Sequence, residues 1–378
     1  MTSEHPPSTS DHSRLSRRAF VATGATGVAA LAGCTGDDSD DDDTSGDDTN
    51  DSDGEEPFEE VPFVGDPPDA VYLPTHREPF EMHPVVEAGE YALLPHFSYP
   101  HQFWLVDGED TEEVFPTLDD SAHVMVAFWD RETGELLPVD AGATLEIRRD
   151  GDPVETVAPW PMIAQTMGFH FGDNVQLPED GTYTVEVTMN PIESVRKTGE
   201  FTGRFEETET ATFEFEWSEE RRRDLRDAIE FLDEDQWGEP GALEPMTHDG
   251  GNGGGDGDHD SGEHGTVPPP SLPPTEEYPG TDLGVHESGD ARFVVRYLED
   301  SRLATGGDGY LLVSPRTPYN RLPLPDMSLS LPELDVTLTQ TLDGELGLHY
   351  GTSISLAPGE TFDLVVDAPP QIARHRGY

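Results

Sequence analysis

Cysteine is almost absent from this 378-residue sequence, since Cys34 is its only example. One thiol cannot form an internal disulfide, and a zinc ribbon, a catalytic thiol and a blue-copper site all need a cysteine that this chain cannot spare. Lysine is equally scarce, with Lys197 alone. Long hydrophobic runs are also missing, because no stretch reaches the roughly 20 apolar residues that span a membrane as a helix.

Positive charge is scarce as well, with 21 Lys and Arg against 79 Asp and Glu and a formal net charge of −58. Such an excess excludes unaided binding to nucleic acid or to anionic lipid. The acidic residues are spread along the whole chain instead of forming one patch. This distribution is typical of a surface that keeps a halophile protein soluble, and it says little about function.

The N-terminal segment has the features of an export signal. A Ser-Arg-Arg-Ala-Phe motif that begins at Ser16 resembles a twin-arginine signal, and a lipobox-like Leu-Ala-Gly-Cys motif ends at Cys34. We therefore expect residues 1–34 to be a lipoprotein signal, Cys34 to be lipidated, and the protein to be anchored on the outer face of the membrane. Residues 35–66 are strongly acidic and predict a disordered tether.

Most of the remaining chain alternates between short β-type runs and turn signals. This pattern predicts an all-β protein of two immunoglobulin-like antiparallel sandwiches, over residues 67–237 and 282–378, joined by a disordered Gly/Pro/Asp linker at 238–281. One short helix is expected from Ser218 to Leu232, with Ser218 as its N-cap.

An internal repeat links the two predicted sandwiches. His170-Phe-Gly172 and His349-Tyr-Gly351 lie 179 residues apart, and the apolar positions that follow them keep the same offset. We infer that one fold was duplicated. The second copy has Arg292 and Val294 where we expect the counterparts of His123 and Met125, which indicates a degenerate copy.

Metal-binding residue types concentrate in the first sandwich. His123 and Met125 alternate along one predicted strand and so share a face. Thioether sulfur selects Cu(I), imidazole accepts several metals, and no thiolate is present, so the set points first to copper, whereas iron(II) would favour a carboxylate. The predicted metal ligands are His123, Met125, Met162, Met167 and His170.

A second group of histidines and methionines lies upstream of these residues. Taken singly, such residues are more often packing or hydrogen-bonding groups than ligands. The sequence leaves open the roles of His76, Met82, His83, His96, His101 and His349.

Several of these motifs resemble the periplasmic Fe(2+) transport protein family. The resemblance rests on an Ala-Val-Tyr-Leu segment that begins at Ala70, the strand with His123, a Pro-Met pair at Met162, and His170-Phe-Gly followed by Asn174. It implies an immunoglobulin-like sandwich that binds copper and takes part in iron uptake, typically with an iron permease. The family has His-x-Glu on the strand, and Met125 stands at the glutamate position, which favours copper.

Three kinds of function fit these observations to different degrees. The first is a lipid-anchored extracytoplasmic protein that binds copper or iron for uptake or storage, with a metal permease as a possible partner. The alternative is a tandem immunoglobulin-like surface lipoprotein with structural histidines and no metal role. An enzyme is not expected, because the common catalytic motifs are missing from the sequence.

Overall fold

The computed structural model describes residues 61–245, 271–305 and 309–378. The predicted export signal, Cys34, the tether up to residue 60 and residues 246–270 of the predicted linker lie outside the described residues. The described residues from 61 to 378 belong to one compact unit. The two ends of the predicted linker pack against it, because Leu243 and Leu272 are buried.

The first half contains fifteen described strands and one α-helix. In chain order they are β1 His76–Arg77, β2 Glu81–Met82, β3 Val86–Ala88, β4 Tyr91–Ser98, β5 Phe103–Asp107, β6 Asp110–Val114, β7 Ala122–Asp130, β8 Thr144–Arg149, β9 Asp152–Val157, β10 Trp160–Ala164, β11 Gly168–Val175, β12 Gly181–Met189, β13 Arg196–Thr198, β14 Glu209–Trp217, α1 Glu219–Asp227 and β15 Glu230–Phe231.

The second half adds nine described strands. They are β16 Thr281–Ser288, β17 Ala291–Leu298, β18 Gly309–Arg316, β19 Ser328–Leu331, β20 Val336–Thr337, β21 Thr339–Asp343, β22 Gly347–Ile354, β23 Val365–Ala368 and β24 Ala373–Arg374. Short 3₁₀ turns occur at Gly199–Phe201, Glu234–Gln236, Thr275–Glu277 and Pro332–Leu334.

Two sheets of the first half pack face to face as a β-sandwich. One has nine strands in the order β2-β4-β7-β11-β10-β24-β5-β6, with β3 also paired to β4, and the other has the order β14-β12-β8-β9. The rings of Phe97 and Phe215 stack between the sheets with their centroids 4.2 Å apart. The prediction of an all-β sandwich fold with one short helix is therefore confirmed for the described residues.

The second half repeats this arrangement with a six-stranded sheet, β13-β21-β22-β18-β17-β16, and a three-stranded sheet, β20-β19-β23. Leu311 and Val313 on β18 and Leu329 on β19 are buried. These side chains belong to the same hydrophobic cluster as Phe97 and Phe215 of the first half. One continuous core thus serves both halves.

The two halves also exchange strands. From the first half, β13 pairs in parallel with β21 of the second sheet, while β24 from the second half pairs in parallel with β10 and antiparallel with β5. The expected domains at 67–237 and 282–378 therefore do not have separate sheets. Each exchanged strand pairs with backbone groups in the sheet of the other half that would otherwise lie unpaired at a strand edge.

Local turn and cap signals determine several element ends. The β8–β9 hairpin turns at Asp150 and Gly151, whose φ angles of 53° and 87° suit a two-residue hairpin turn. Helix α1 begins after Ser218, whose hydroxyl accepts from the Arg221 amide. It ends at Asp227, earlier than predicted, because the next residues form β15 and pair with β1.

The strand register supports the inferred duplication. Met162 on β10 lies opposite His170 on β11, and Thr341 on β21 lies opposite His349 on β22, with the same offset of 179 residues. In both halves the strand beside this hairpin is antiparallel, β7 in the first and β18 in the second.

This register corrects the expected counterparts in the second copy. Gly172 lies opposite Met125, and Gly351 lies opposite Leu312 on β18. By the same pairing Tyr310 corresponds to His123. Arg292 and Val294 lie on β17, the next strand out. The prediction chose the wrong strand because alternation reveals which residues share a face and does not reveal strand order.

Candidate metal site

Four of the five predicted ligands lie on the face of the nine-stranded sheet that points away from the sandwich core: His123, Met125, Met162 and His170. Both faces of this sheet are covered, so every residue of β7 is buried. Val124 and Phe171 point into the core between the sheets. Alternate residues on β7 then direct His123 and Met125 to the opposite face, as the alternation predicted.

A glycine creates the space in which these side chains meet. A Cβ atom at Gly172 would lie 2.8 Å from His123 Nε2, 3.0 Å from Met162 Sδ and 3.3 Å from Met125 Cγ. A ring nitrogen and a thioether sulfur, from β7 and β10, thus converge above one backbone position on β11. The glycine of the His-Phe-Gly motif is needed here for close approach.

Two further histidines complete a cluster that the predicted set does not contain. His101 lies between β4 and β5, and its Nε2 is 3.1 Å from Nδ1 of His375, which follows β24. His375 Nε2 lies 3.2 Å from His170 Nε2. One nitrogen each of His101, His123 and His375 lies within 4.8 Å of the others, and all three residues are buried.

Hydrogen bonds fix which nitrogen of each ring faces the cluster. The Nδ1 atoms of His101 and His170 lie 2.9 and 3.1 Å from the carbonyl oxygens of Tyr99 and Gly168. A carbonyl oxygen only accepts, so in the neutral ring Nδ1 carries the proton and Nε2 keeps its lone pair. Second-sphere bonds of this kind orient metal-binding histidines.

His123 is oriented by a side-chain amide. Its Nδ1 is 2.9 Å from Asn174 Oδ1, and the amide is oriented because Asn174 Nδ2 donates to the His101 carbonyl at 3.0 Å. His123 Nε2 is buried and has no hydrogen-bond partner among the described residues. A buried polar atom of this kind is costly unless a partner such as a metal ion satisfies it.

The His375 ring lies between the Nε2 lone pairs of His101 and His170. Its Nδ1 faces His101 Nε2, and its Nε2 faces His170 Nε2. A neutral imidazole has one N–H and can donate to only one of these neighbours. A metal ion among the ring nitrogens would satisfy them together, so the donor set fits a first-row transition metal.

The surroundings favour the neutral, metal-binding form of these rings. Burial holds the pKa of His123 well below its usual range, with a smaller contribution from His101 and His375. Burial and the neighbouring His375 also hold the pKa of His170 well below its usual range. Burial lowers the pKa of His101 to about 4, although Glu78 opposes this shift. At neutral pH these lone pairs are free of protons.

Glu78 adds one carboxylate to the cluster. Its Oε2 lies 3.4 Å from His375 Nδ1 and 3.6 Å from His101 Nε2. Burial on its own raises the pKa of the Glu78 carboxyl, but His101 and His375 outweigh it and hold that pKa well below its usual range. Glu78 also lines a small cleft with His76, Gln165 and His375.

The other candidate residues have different surroundings. Met167 packs with Met125 and Ala164 at the turn after β10. His76 Nε2 lies 3.0 Å from the Tyr99 hydroxyl. The His96 ring contacts Phe80 edge to face, with centroids 5.7 Å apart.

Two upstream candidates lie towards the surface. Met82 on β2 is exposed. The Nε2 of His83 lies 2.8 Å from the Glu214 carbonyl.

The corresponding position in the second half is filled by a phenol. A Cβ atom at Gly351 would lie 2.2 Å from the Tyr310 hydroxyl oxygen, which is 3.2 Å from His349 Nε2. Thr198 of β13 lies opposite Asp343, which Arg302 binds with two hydrogen bonds. These contacts leave the second copy without a convergence of ring nitrogens among its described residues.

Sequence reasoning missed Glu78 and His375 and left His101 open. His101 was visible as one histidine in an aromatic-rich segment. His375 had no local signal, because it reaches the cluster only through the exchanged strand β24, which follows from the tertiary structure.

Fold and site together define a class: an all-β sandwich protein with a buried cluster of imidazole and thioether groups. Residues 137–220 match the family described as Fe2+ transport protein. This match confirms the resemblance to that family for this part of the chain. Residues 276–378 match a domain of unknown function, DUF7350.

Solved structures give distant matches. Uropathogenic E. coli FetP, as isolated, is 19% identical, with 36% of this chain and 96% of that chain covered and a TM-score of 0.29. The copper-bound form of a FetP variant is 21% identical, with 36% and 97% covered and a TM-score of 0.29. No curated protein matches. Among the described helices, none has the length and apolar character to cross a membrane.

Proposed function

We propose that this protein binds copper or iron outside the cytoplasm and holds the metal for uptake or storage. One observation carries the proposal: the ring nitrogens of His101, His123, His170 and His375 converge in a buried cluster. The match of residues 137–220 to the Fe2+ transport protein family supports a metal-related role.

Copper is the metal that suits the inner part of the cluster. Met162 Sδ and His123 Nε2 both approach the space above Gly172, and Met125 contributes a second methionine beside it. Thioether and imidazole donors without a thiolate favour Cu(I). The protein would hold the ion as cargo and would not turn over a substrate.

The remaining parts of the proposal concern location and partners. Export by the twin-arginine route and a lipid at Cys34 would place the folded protein on the outer face of the membrane, close to a metal permease. The net charge of −58 opposes any contact with nucleic acid. A halophile surface of this charge would keep the protein soluble in high salt.

Metal analysis of the purified full-length chain tests this function. We expect Cu(I) or Fe(II) to remain bound after excess metal is removed, and we expect His123→Ala and His170→Ala to weaken binding by about tenfold or more. His286→Ala is the matched control, because this histidine is exposed on β16. Its affinity should equal that of the wild type.

The alternative is a tandem β-sandwich surface protein in which histidines are structural. His349 favours it, because this ring is buried and bonded to Tyr310 in a half without the cluster. If neither copper nor iron binds above background, and His123→Ala and His170→Ala change only the stability, this alternative replaces the metal-binding proposal.

A further inference from the structure

A row of methionine and histidine side chains crosses the nine-stranded sheet from its edge towards the cluster. Met82 on β2 lies opposite His96 on β4, and His96 lies opposite Met125 on β7. Met125 in turn lies opposite Gly172 on β11, the position above which a ring nitrogen and a thioether sulfur converge. Directly opposed residues of antiparallel strands share a face, so the row of Met82, His96 and Met125 runs along the face that carries the cluster.

The row leads from solvent into the buried interior. The Met82 side chain is 50% exposed, whereas His96 and Met125 are 1% and 3% exposed. Strand β2 is at the edge of the sheet, with β4 and β7 following in order. Among the described methionines Met82 is the most exposed. Its thioether is therefore the one that a metal donor in solution reaches first.

The spacing of the row suits the passage of an ion between neighbouring side chains. Opposed residues on adjacent strands have Cβ atoms about 4.5–5.5 Å apart. Metal bonds to imidazole nitrogen and to sulfur are about 2.0–2.3 Å long. Two neighbours in the row are thus close enough to bind one ion together, so that a new bond forms before the previous one breaks.

The His96 ring is oriented in the same way as the cluster histidines. Its Nδ1 lies 3.0 Å from the Leu94 carbonyl oxygen, which only accepts, so the neutral ring keeps its lone pair on Nε2. Phe80 contacts this ring and also packs against the group that contains Met125 and Met167. The middle of the row is therefore continuous and shielded from water.

We propose that the row of Met82, His96 and Met125 is an entry path along which Cu(I) passes from the surface to the buried cluster. This inference rests on the proposed function, since it names the route by which the metal reaches its site. Each step exchanges one sulfur or nitrogen ligand for the next, with no proton released and no change of oxidation state. A thioether at the entrance selects Cu(I) over harder ions.

Transfer of Cu(I) from a coloured small-molecule chelator to the full-length chain, followed anaerobically by stopped flow, tests the path. Met82→Leu removes the sulfur and keeps an apolar side chain of similar size at an exposed position, so the fold is preserved. We expect uptake about tenfold slower than in the wild type, with equilibrium affinity within about threefold. Because affinity depends only on the end states, release to a competing chelator should slow by the same factor.

Two further variants separate the loss of a ligand from other effects. Met82→His restores a metal-binding side chain at the same place and should recover most of the lost rate. Met327→Leu is the matched control, because it removes a thioether from the second half, outside the row. This control should take up Cu(I) at the wild-type rate.

The outcomes distinguish the path from the proposed function. Uptake by Met82→Leu at the wild-type rate would overturn the path, and so would slow uptake in Glu78→Gln alone, which would place the entrance at the carboxylate. Weaker equilibrium binding by Met82→Leu would make Met82 part of the final site and would also overturn the path. These results leave metal binding intact, whereas failure of the wild type to bind Cu(I) would overturn the proposed function itself.

Discussion

At the scale of single residues, Gly172 and Gly351 occupy equivalent positions in the two halves but have chemically different neighbours. Above Gly172 lie His123 Nε2 and Met162 Sδ, and above Gly351 lies the Tyr310 hydroxyl. The same backbone opening therefore admits potential ligands in one half and a packing group in the other. A side chain at either position would displace what lies above it.

We predict that Gly172→Ala weakens Cu(I) binding by about tenfold or more, because the new methyl group would occupy the space in which nitrogen and sulfur converge. Gly351→Ala should instead lower the free energy of unfolding by about 1–3 kcal/mol through overpacking and leave Cu(I) affinity unchanged. Copper titration and denaturant unfolding of both variants would check this. Equal effects of the two substitutions on copper affinity would contradict it.

A second residue-scale prediction concerns His349 and pH. Burial lowers the pKa of His349 to about 4 from the ordinary 6.5. The unfolded chain thus binds a proton at this residue that the folded chain does not. The contribution of neutral His349 to the free energy of unfolding is therefore fully present above pH 6.5 and is lost as the pH falls towards 4. This ring accounts for roughly 3 kcal/mol of that loss.

His349→Gln should remove this pH-dependent contribution to the free energy of unfolding. Between pH 6.5 and 4, the free energy of unfolding of the metal-free variant should fall less steeply than that of the wild type. Denaturant unfolding at several pH values measures the slope of the free energy of unfolding against pH for the variant and the wild type. The cluster histidines are present in both proteins and contribute equally to the two slopes. Identical slopes would contradict the lowered pKa.

At the scale of elements, the sequence was sufficient wherever the signal was local. Alternation along Ala122–Asp130 predicted which face His123 and Met125 share, and Asp150-Gly151 marked the β8–β9 turn. The helix start at Ser218 followed from its capping hydroxyl. These features depend on backbone periodicity and on turn residues, which neighbouring positions determine.

The elements that complete the cluster could not be predicted in this way. His101 lies in a loop. His375 follows a two-residue strand whose pairing with β10 joins distant parts of the sequence. Glu78 is one acid among 79 Asp and Glu residues in the sequence, so composition hides it. Contacts between positions this far apart depend on strand order and register, which alternation does not encode.

At the scale of the whole molecule, the exchange of β24 brings residues of both halves into the cluster. His101, His123 and His170 come from the first half, whereas His375 comes from the second and reaches them beside β10. The two halves also share one hydrophobic core, so the stability of each half depends on the other. Residues of both halves thus meet in one cluster, to which the second half contributes His375.

We therefore predict that neither half binds copper with native affinity when produced alone. Chains divided between residues 245 and 271 separate the described parts of the two halves without cutting a described strand. Co-expressed, the fragments should associate one to one through the exchanged strands and recover Cu(I) binding, which co-purification and metal analysis would measure. His375→Ala in the second fragment should preserve association and weaken copper binding. Native copper affinity in the isolated first fragment would show that His375 is dispensable and that the halves are independent domains.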